Sequence, residues 1–100
     1  MVGYACYGLT PGTQASYDLY WIVVASDLHG RGHGRRIMSE VEKRIAALGG
    51  EKIYVDTSST DKYAPTRRFY ERAGLVQVAL LEDFYRRGDS KVIYEKRINT

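Results

Sequence analysis

The chain has 100 residues, of which 44% are hydrophobic and 27% are charged, and its net charge is +3. These values are ordinary for a globular protein, and the length suits a single domain over residues 1–100 without a second core. No apolar run approaches the ~20 residues that cross a bilayer, so we expect no membrane span and no signal peptide. Cys6 is the only cysteine, which excludes an internal disulfide, and we expect a cytoplasmic protein.

The first half of the chain predicts a β-hairpin followed by a helix. Residues 2–7 and 17–24 are strand-like runs joined by a short Gly/Pro-containing loop, and the second run is apolar enough for a central strand. From His33 onward apolar residues recur at helical spacing. Gly49-Gly50 ends this helix, with one of the two glycines in the left-handed conformation. The predicted apolar stripe of the helix comprises Ile37, Met38, Val41, Ile45 and Leu48.

The chain after this helix continues with a strand and a second helix. Residues 52–56 are a short strand, and the strand–helix–strand order predicts a parallel, right-handed crossover. Residues 57–63 are polar and loop-like. Pro65 suits the first turn of a helix that runs to about Ala73, and Gly74 lies just past its end.

Two more strands complete the predicted fold. Val76, Val78 and Leu80 alternate on one face of the first, residues 84–90 form a turn-rich connection, and residues 91–98 are the last strand. Both helices are followed by glycine and then by a strand, which is typical of an α/β domain. The sequence therefore predicts an α/β fold with a mixed, twisted sheet and two helices in the order β-β-α-β-α-β-β.

The strongest functional signal lies between His29 and Gly34. A buried strand stops, glycines follow at alternate positions, and an amphipathic helix begins at once. The first amides of a helix lack partners within it, and the helix dipole places roughly half a positive charge there. Glycine lets the backbone approach a ligand closely, and Arg31, Arg35 and Arg36 add full charges. These features predict a cradle for a pyrophosphate.

The turn matches neither of two common phosphate-binding motifs. No Gly-Lys-Ser/Thr follows, so it is not a P-loop, and Arg35 stands where the dinucleotide fingerprint needs glycine or alanine. A glycine-rich turn with ordinary surface arginines is the plain alternative. His29 and His33 straddle the turn without a supporting cysteine pair, so we expect no metal site.

Two stretches resemble the GNAT superfamily of acetyl-CoA-dependent N-acetyltransferases. Residues 29–34, HGRGHG, are similar to the cofactor motif Q/R-x-x-G-x-G/A, with His29 replacing the usual Gln or Arg. YAPTRRFYERAGLV is similar to the second family motif, although Tyr63 stands where many members have asparagine. The residues that match this second motif in order are Phe69, Tyr70, Glu71, Gly74 and Leu75.

This resemblance implies acetyl-CoA as cosubstrate and assigns the residues that bind it. The strand before the turn would pair with the pantetheine arm, and the turn would hold the pyrophosphate. The implied cofactor-binding residues are Ile22, Val23, Val24, His29, Gly30, Arg31, Gly32, His33, Gly34 and Arg35.

The resemblance also implies that the N-terminal strand–helix–helix–strand part of the family fold is absent, so that residues 2–7 correspond to its third strand. Without that part, apolar area and a sheet edge would be exposed, and both promote association. We therefore expect a homo-oligomer, pairing with a chain that supplies the missing strands, or a fragment of a longer protein.

The function that the resemblance implies is transfer of an acetyl group from acetyl-CoA to a primary amine of a small molecule or peptide. Tyr70 matches the proton donor to the thiolate, and a phenol with a pKa of ~10 keeps its proton at neutral pH. The base stays open among Asp18, His29 and His33. The resemblance places Tyr85 in the loop that borders the acceptor, and an ordinary surface tyrosine is the alternative.

Two other functions compete with this expectation. The chain could be an acetyl-CoA-binding subunit or relic without a complete acceptor site, or a nucleic-acid-binding module that uses its arginines. The focused placement of the arginines suits a small polyphosphate better than a long duplex.

Overall fold

The computed structural model describes residues 3–24 and 33–98. Their elements follow the order β1 (Gly3–Leu9), β2 (Ser16–Val24), α1 (His33–Ala47), β3 (Lys52–Ser58), α2 (Ala64–Arg72), β4 (Val76–Arg86) and β5 (Asp89–Arg97). A short 3₁₀ helix, Asp61–Tyr63, precedes α2. The strands form a five-stranded sheet in the order β1-β2-β3-β5-β4. The predicted α/β class and order of elements are confirmed.

Contacts within the chain separate two units, Met1–Ile53 with Arg97–Thr100, and Tyr54–Lys96. In the described part of the first unit, β1 and β2 form the predicted hairpin. They run antiparallel, with Ala5 opposite Ile22, and the register shifts after Cys6. The Thr10 amide donates a 2.8 Å hydrogen bond to the Ser16 carbonyl, which closes the connecting loop.

Helix α1 lies against β1 and β2 and supplies much of the first unit's core. Met38, Val41 and Ile45 are buried, as the helical spacing predicted, and Leu19 of β2 is buried in the same unit. The exposed face carries an i,i+4 pair, in which Arg44 Nε lies 3.2 Å from the Glu40 carboxylate. None of the helices in the described part of the chain is both long enough and apolar enough to span a membrane.

Leu48 does not belong to the buried stripe, contrary to the prediction, since 64% of its surface is exposed. The helix ends at Ala47, and Gly49 turns the chain with φ 89°. The Gly50 amide then donates a 2.8 Å hydrogen bond back to the Ile45 carbonyl. This left-handed cap is the predicted one, but it removes Leu48 from the helical face.

In the second unit, α2 follows the prediction closely. Pro65 lies in its first turn, where its missing amide hydrogen costs no hydrogen bond. Gly74 follows the helix with φ 95°, and the Leu75 amide donates to the Tyr70 carbonyl at 3.0 Å. Tyr70 is the buried residue of this helix.

The hairpin of β4 and β5 differs from the prediction. Residues 84–90 were expected to form a loop, but β4 extends to Arg86 and β5 begins at Asp89, so only a tight turn separates them. The turn is held by Gly88, whose φ is 84° and whose amide donates a 2.8 Å hydrogen bond to Oδ1 of Asp83. Asp83 itself has φ 54° within a register shift, and such bulges are not visible in residue composition.

The predicted alternation along β4 is also interrupted. Gln77 lies opposite Tyr94 and Ala79 lies opposite Ile93, so the register skips Val78. Apolar side chains of this strand are exposed rather than buried on one face. They are Val76, Val78, Leu80, Leu81, Phe84 and Tyr85.

Candidate functional site

A cleft of about 610 Å³ opens within the second unit, a size typical of small-molecule sites. One wall is the end of β3, residues 56–58, and the other is the β4–β5 turn, residues 85–89. Thr60, Lys62 and Tyr63, which lie between β3 and α2, complete the lining. Two strand ends and a short helix therefore shape this cleft.

The floor of the cleft is a hydrogen-bonded group of polar side chains. Ser58 Oγ donates a 2.5 Å hydrogen bond to the buried Asp89 carboxylate and lies 2.9 Å from Thr60 Oγ1. Arg67 of α2 donates to the carbonyls of Ser58 and Thr60, at 2.7 and 2.9 Å. Because these groups are mutually satisfied, the ends of β3 and β5 and the start of α2 are held together.

Asp56 lines the cleft, and its negative charge affects the pKa of two tyrosine hydroxyls. Lys91 of β5 lies 3.0 Å from its Oδ2 atom, and the Asp56 side chain is 48% exposed. The Lys91 ammonium also stands 4.6 Å from the centre of the Phe84 ring. The carboxylate is thus anchored on one oxygen while about half of its surface faces solvent.

Tyr70 is enclosed by aromatic neighbours on α2 and β5. Its ring centre lies 5.6 Å from that of Phe69 and 6.0 Å from that of Tyr94. Burial, and then the negative charge of Asp56, raise the pKa of the Tyr70 hydroxyl. Within residues 3–24 and 33–98, no hydrogen bond engages this hydroxyl. A phenol in these surroundings keeps its proton and can donate it.

Tyr85 of β4 lines the cleft and is 46% exposed. Partial burial, followed by the charge of Asp56, raises its pKa, while Lys91 opposes the shift.

Tyr94 is buried behind α2 and donates a 3.0 Å hydrogen bond to Glu71. Its burial, with this bond and the nearby charge, raises its pKa to about 12.

The structure positions only part of the cofactor site expected from the sequence. Ile22, Val23 and Val24 are the last residues of β2, as predicted. His29, Gly30, Arg31 and Gly32 lie outside the described residues. His33 and Gly34 begin the described part of α1, and Arg35 is exposed on its first turn.

Two other predictions concern Asp18 and the absence of a metal site. Asp18 is half-buried in β2, and its backbone lies opposite Gly8. No three His, Cys, Asp or Glu side chains of the described ranges come together as a metal site, and the predicted absence of metal stays a prediction because His29 is outside those ranges.

Asp56, Ser58 and Asp89 are the site residues that sequence reasoning missed. The run KIYVD indicated a strand that stops at residue 56, followed by a loop. The strand continues to Ser58, so Thr57 and Ser58 are buried polar residues at its end. The available signal was the alternation of apolar Ile53 and Val55 with polar neighbours. Continuing this strand pattern for two more residues would have included Ser58.

Comparison with known proteins connects this architecture to one family. The sequence model of the acetyltransferase (GNAT) family matches residues 1–75. A GNAT-family protein from Desulfovibrio desulfuricans is 51% identical over 98% of this chain, with a TM-score of 0.96, and 62% of its own chain is covered.

More distant structures share the fold. The aminoglycoside 6'-N-acetyltransferase from Enterococcus faecium is 24% identical, with a TM-score of 0.84 over 99% of this chain and 67% of its own. A Salmonella typhimurium protein solved with its cofactor acetyl-CoA is 17% identical, with a TM-score of 0.81 over 98% of this chain and 58% of its own. The chain thus spans between 58% and 67% of the length of these three proteins. With most of its length matched by the family model and half of its residues shared with a family structure, the chain belongs to the acetyltransferase (GNAT) family.

Proposed function

We propose that this chain binds acetyl-CoA and takes part in transferring its acetyl group to a primary amine. Family membership supports the reaction class. The observation that carries the proposal in this chain is the position of Tyr70, a buried phenol on α2 that holds its proton at neutral pH. A group of this kind suits proton donation to a leaving thiolate.

The described residues on either side of the glycine turn fit an anionic ligand. The first turn of α1 has no acidic residue, and its Arg35 and Arg36 are exposed. The unpaired amides and the dipole of a helix start favour negative charge at that end. We propose that residues 29–35 hold the pyrophosphate and that the backbone of Ile22–Val24 holds the pantetheine arm.

Acetyl-CoA supplies an activated acetyl thioester when bound. On this proposal the amine nitrogen forms a bond to the acetyl carbon as the carbon–sulfur bond breaks. The amine releases a proton to a base or to water, and the Tyr70 hydroxyl gives its proton to the departing sulfur. Tyr70 then regains a proton from solvent, so atoms and charge balance over one turnover.

Calorimetry followed by a thiol assay tests the proposal. We expect acetyl-CoA to bind the chain in titration calorimetry, whereas a mixed-sequence oligonucleotide should not bind at physiological salt. Release of free thiol from acetyl-CoA in the presence of a panel of primary amines should then exceed hydrolysis without amine. Binding without amine-dependent release would identify a cofactor-binding subunit, and preference for the oligonucleotide would identify a nucleic-acid module.

The exposed surface of β4 supports self-association, so the partner that we propose is a second copy of this chain. Six large apolar or aromatic side chains of this one strand are exposed, and Val76 is exposed to 64%. Exposed apolar strands at a sheet edge favour association. Sedimentation velocity at micromolar concentration should show a dimer or larger species, and a monomer that melts cooperatively would contradict this. The cytoplasmic location stays a prediction.

A further inference from the structure

The lining of the cleft carries an excess of positive charge. Its charged lining residues are three cations, Lys62, Arg86 and Arg87, and two carboxylates, Asp56 and Asp89, which leaves +1. In addition, Lys91 lies beside the cleft and contacts Asp56. A cleft with low-dielectric walls concentrates such a field, so it attracts anions.

The carboxylates of the cleft are already engaged. Asp89 is buried, accepts the Ser58 hydroxyl, and lies 3.9 Å from Arg86 Nε through its other oxygen. Asp56 is bound by Lys91 through Oδ2. These contacts reduce the negative charge that the cleft presents to a ligand.

The cations of the cleft lining make weaker or fewer contacts with carboxylates. The Arg86 side chain is 80% exposed, and at 3.9 Å its contact with Asp89 is long. Lys62 stands 5.7 Å from the centre of the Tyr63 ring. Within the described ranges, no carboxylate lies within ion-pair distance of Lys62 or Arg87. Arg87 is at the tip of the β4–β5 turn, where its planar guanidinium can bind a carboxylate through two hydrogen bonds.

We propose that the cleft binds an acceptor that carries a carboxylate as well as its primary amine, with Arg87 and Arg86 binding the carboxylate and Asp56 facing the amine. This inference rests on the proposed function for its acceptor, and it narrows the acceptor to small amino acids and amine-bearing acids. The Asp56 carboxylate, whose side chain is 48% exposed, is the group that would accept a hydrogen bond from an ammonium.

Two further features fit a small zwitterionic acceptor. The cleft volume of about 610 Å³ suits a small molecule, and the half-exposed rings of Tyr63 and Tyr85 offer flat apolar surfaces beside the charges. A polycationic amine such as an aminoglycoside would instead meet three like charges in the lining of the cleft.

Matched pairs of amines that differ by one carboxylate test the inference. The pairs are lysine with 1,5-diaminopentane, ornithine with 1,4-diaminobutane, and phenylalanine with phenethylamine. Binding is followed by NMR shifts of the backbone amides of residues 86–89, which needs no acetyl transfer. We expect the carboxylate member of at least one pair to bind about tenfold more tightly than its partner. Equal binding, preference for the amine without a carboxylate, or no shift with any probe would overturn the inference.

A charge variant with a matched control locates the anion site. Arg87→Gln should weaken binding of the carboxylate member about threefold to tenfold. Lys43→Gln, which removes the same charge from an exposed position of α1 outside the cleft lining, should leave it unchanged. An equal loss in both variants would also overturn the inference. Carboxylate-selective binding without thiol release from acetyl-CoA would leave the anion site standing while contradicting the proposed function.

Discussion

The Lys91 ammonium lies 3.0 Å from the Asp56 carboxylate and holds that carboxylate at the wall of the cleft. Both side chains come from strands of the second unit, β5 and β3. The same carboxylate raises the pKa of Tyr70 and of Tyr85. One ion pair therefore links the charge of the cleft to the tyrosine that we propose as proton donor.

Asp56→Asn should lower the pKa of Tyr70. Removing the negative charge makes the phenolate less unfavourable, while burial still keeps the pKa above its ordinary value of about 10. The change is measured by NMR titration of the protein labelled with ¹³C at the tyrosine Cζ. Asp61→Asn, which removes an exposed carboxylate of the 3₁₀ helix, serves as control. An unchanged Tyr70 pKa in Asp56→Asn would contradict the electrostatic link.

Tyr70→Phe should lower kcat by about 100-fold or more while acetyl-CoA affinity stays within about twofold. The ring and its contacts with Phe69 and Tyr94 are kept, and only the hydroxyl is lost. Stopped-flow thiol release and calorimetry measure the two quantities. A matched control is Tyr63→Phe, which removes an exposed hydroxyl from the cleft lining. Equal losses of kcat in both variants would argue against a donor role.

Most of the fold could be predicted from local sequence patterns, because these local preferences agree with how the helices and strands pack. The stripe at Met38, Val41 and Ile45 predicted the buried face of α1, and Pro65 with Gly74 predicted the limits of α2. In each case a single local preference agrees with the tertiary structure.

The predictions that were wrong concern parts of the fold that depend on interactions between segments far apart in the sequence. The length of β4 rests on a bulge at Asp83 that is held by the amide of Gly88, and composition alone indicated a loop there. The cleft was not predictable for the same reason. Ser58 and Asp89 are 31 positions apart and meet only when β3 and the β4–β5 hairpin are assembled.

Tyr94→Phe should reduce the loss of stability at alkaline pH. The folded-state pKa of Tyr94 is about 12, above the ordinary value of about 10. The folded state thus binds the proton more tightly, so this stability is present below about pH 10 and is lost as pH rises toward 12. Urea unfolding at about pH 9 and about pH 11 measures it. The variant should lose less stability between the two pH values than the parent, and an identical loss would refute the assignment.

Gly50→Ala should destabilise the fold by about 1–3 kcal/mol. A Cβ atom at this position would lie 2.9 Å from the Ile45 carbonyl oxygen and 2.9 Å from the Tyr17 ring, and it would also overlap the Ile45 side chain. Gly8→Ala is the matched control, because its Cβ would make ordinary contacts of 3.6 Å or more with Tyr20. Urea denaturation compares the two, and a cost for Gly50→Ala no larger than that for Gly8→Ala would disprove the close packing.

Calorimetric titration of acetyl-CoA into Gly32→Glu tests the central claim most directly. Residue 32 belongs to the predicted cofactor motif and immediately precedes α1 in the sequence, and a carboxylate there should repel the pyrophosphate. Ser39→Glu, which adds the same charge to an exposed position of α1, controls for net charge. We predict that affinity falls at least tenfold in Gly32→Glu and less than about twofold in Ser39→Glu. Unchanged affinity in Gly32→Glu, in a chain that keeps its native melting curve, would contradict pyrophosphate binding at this turn.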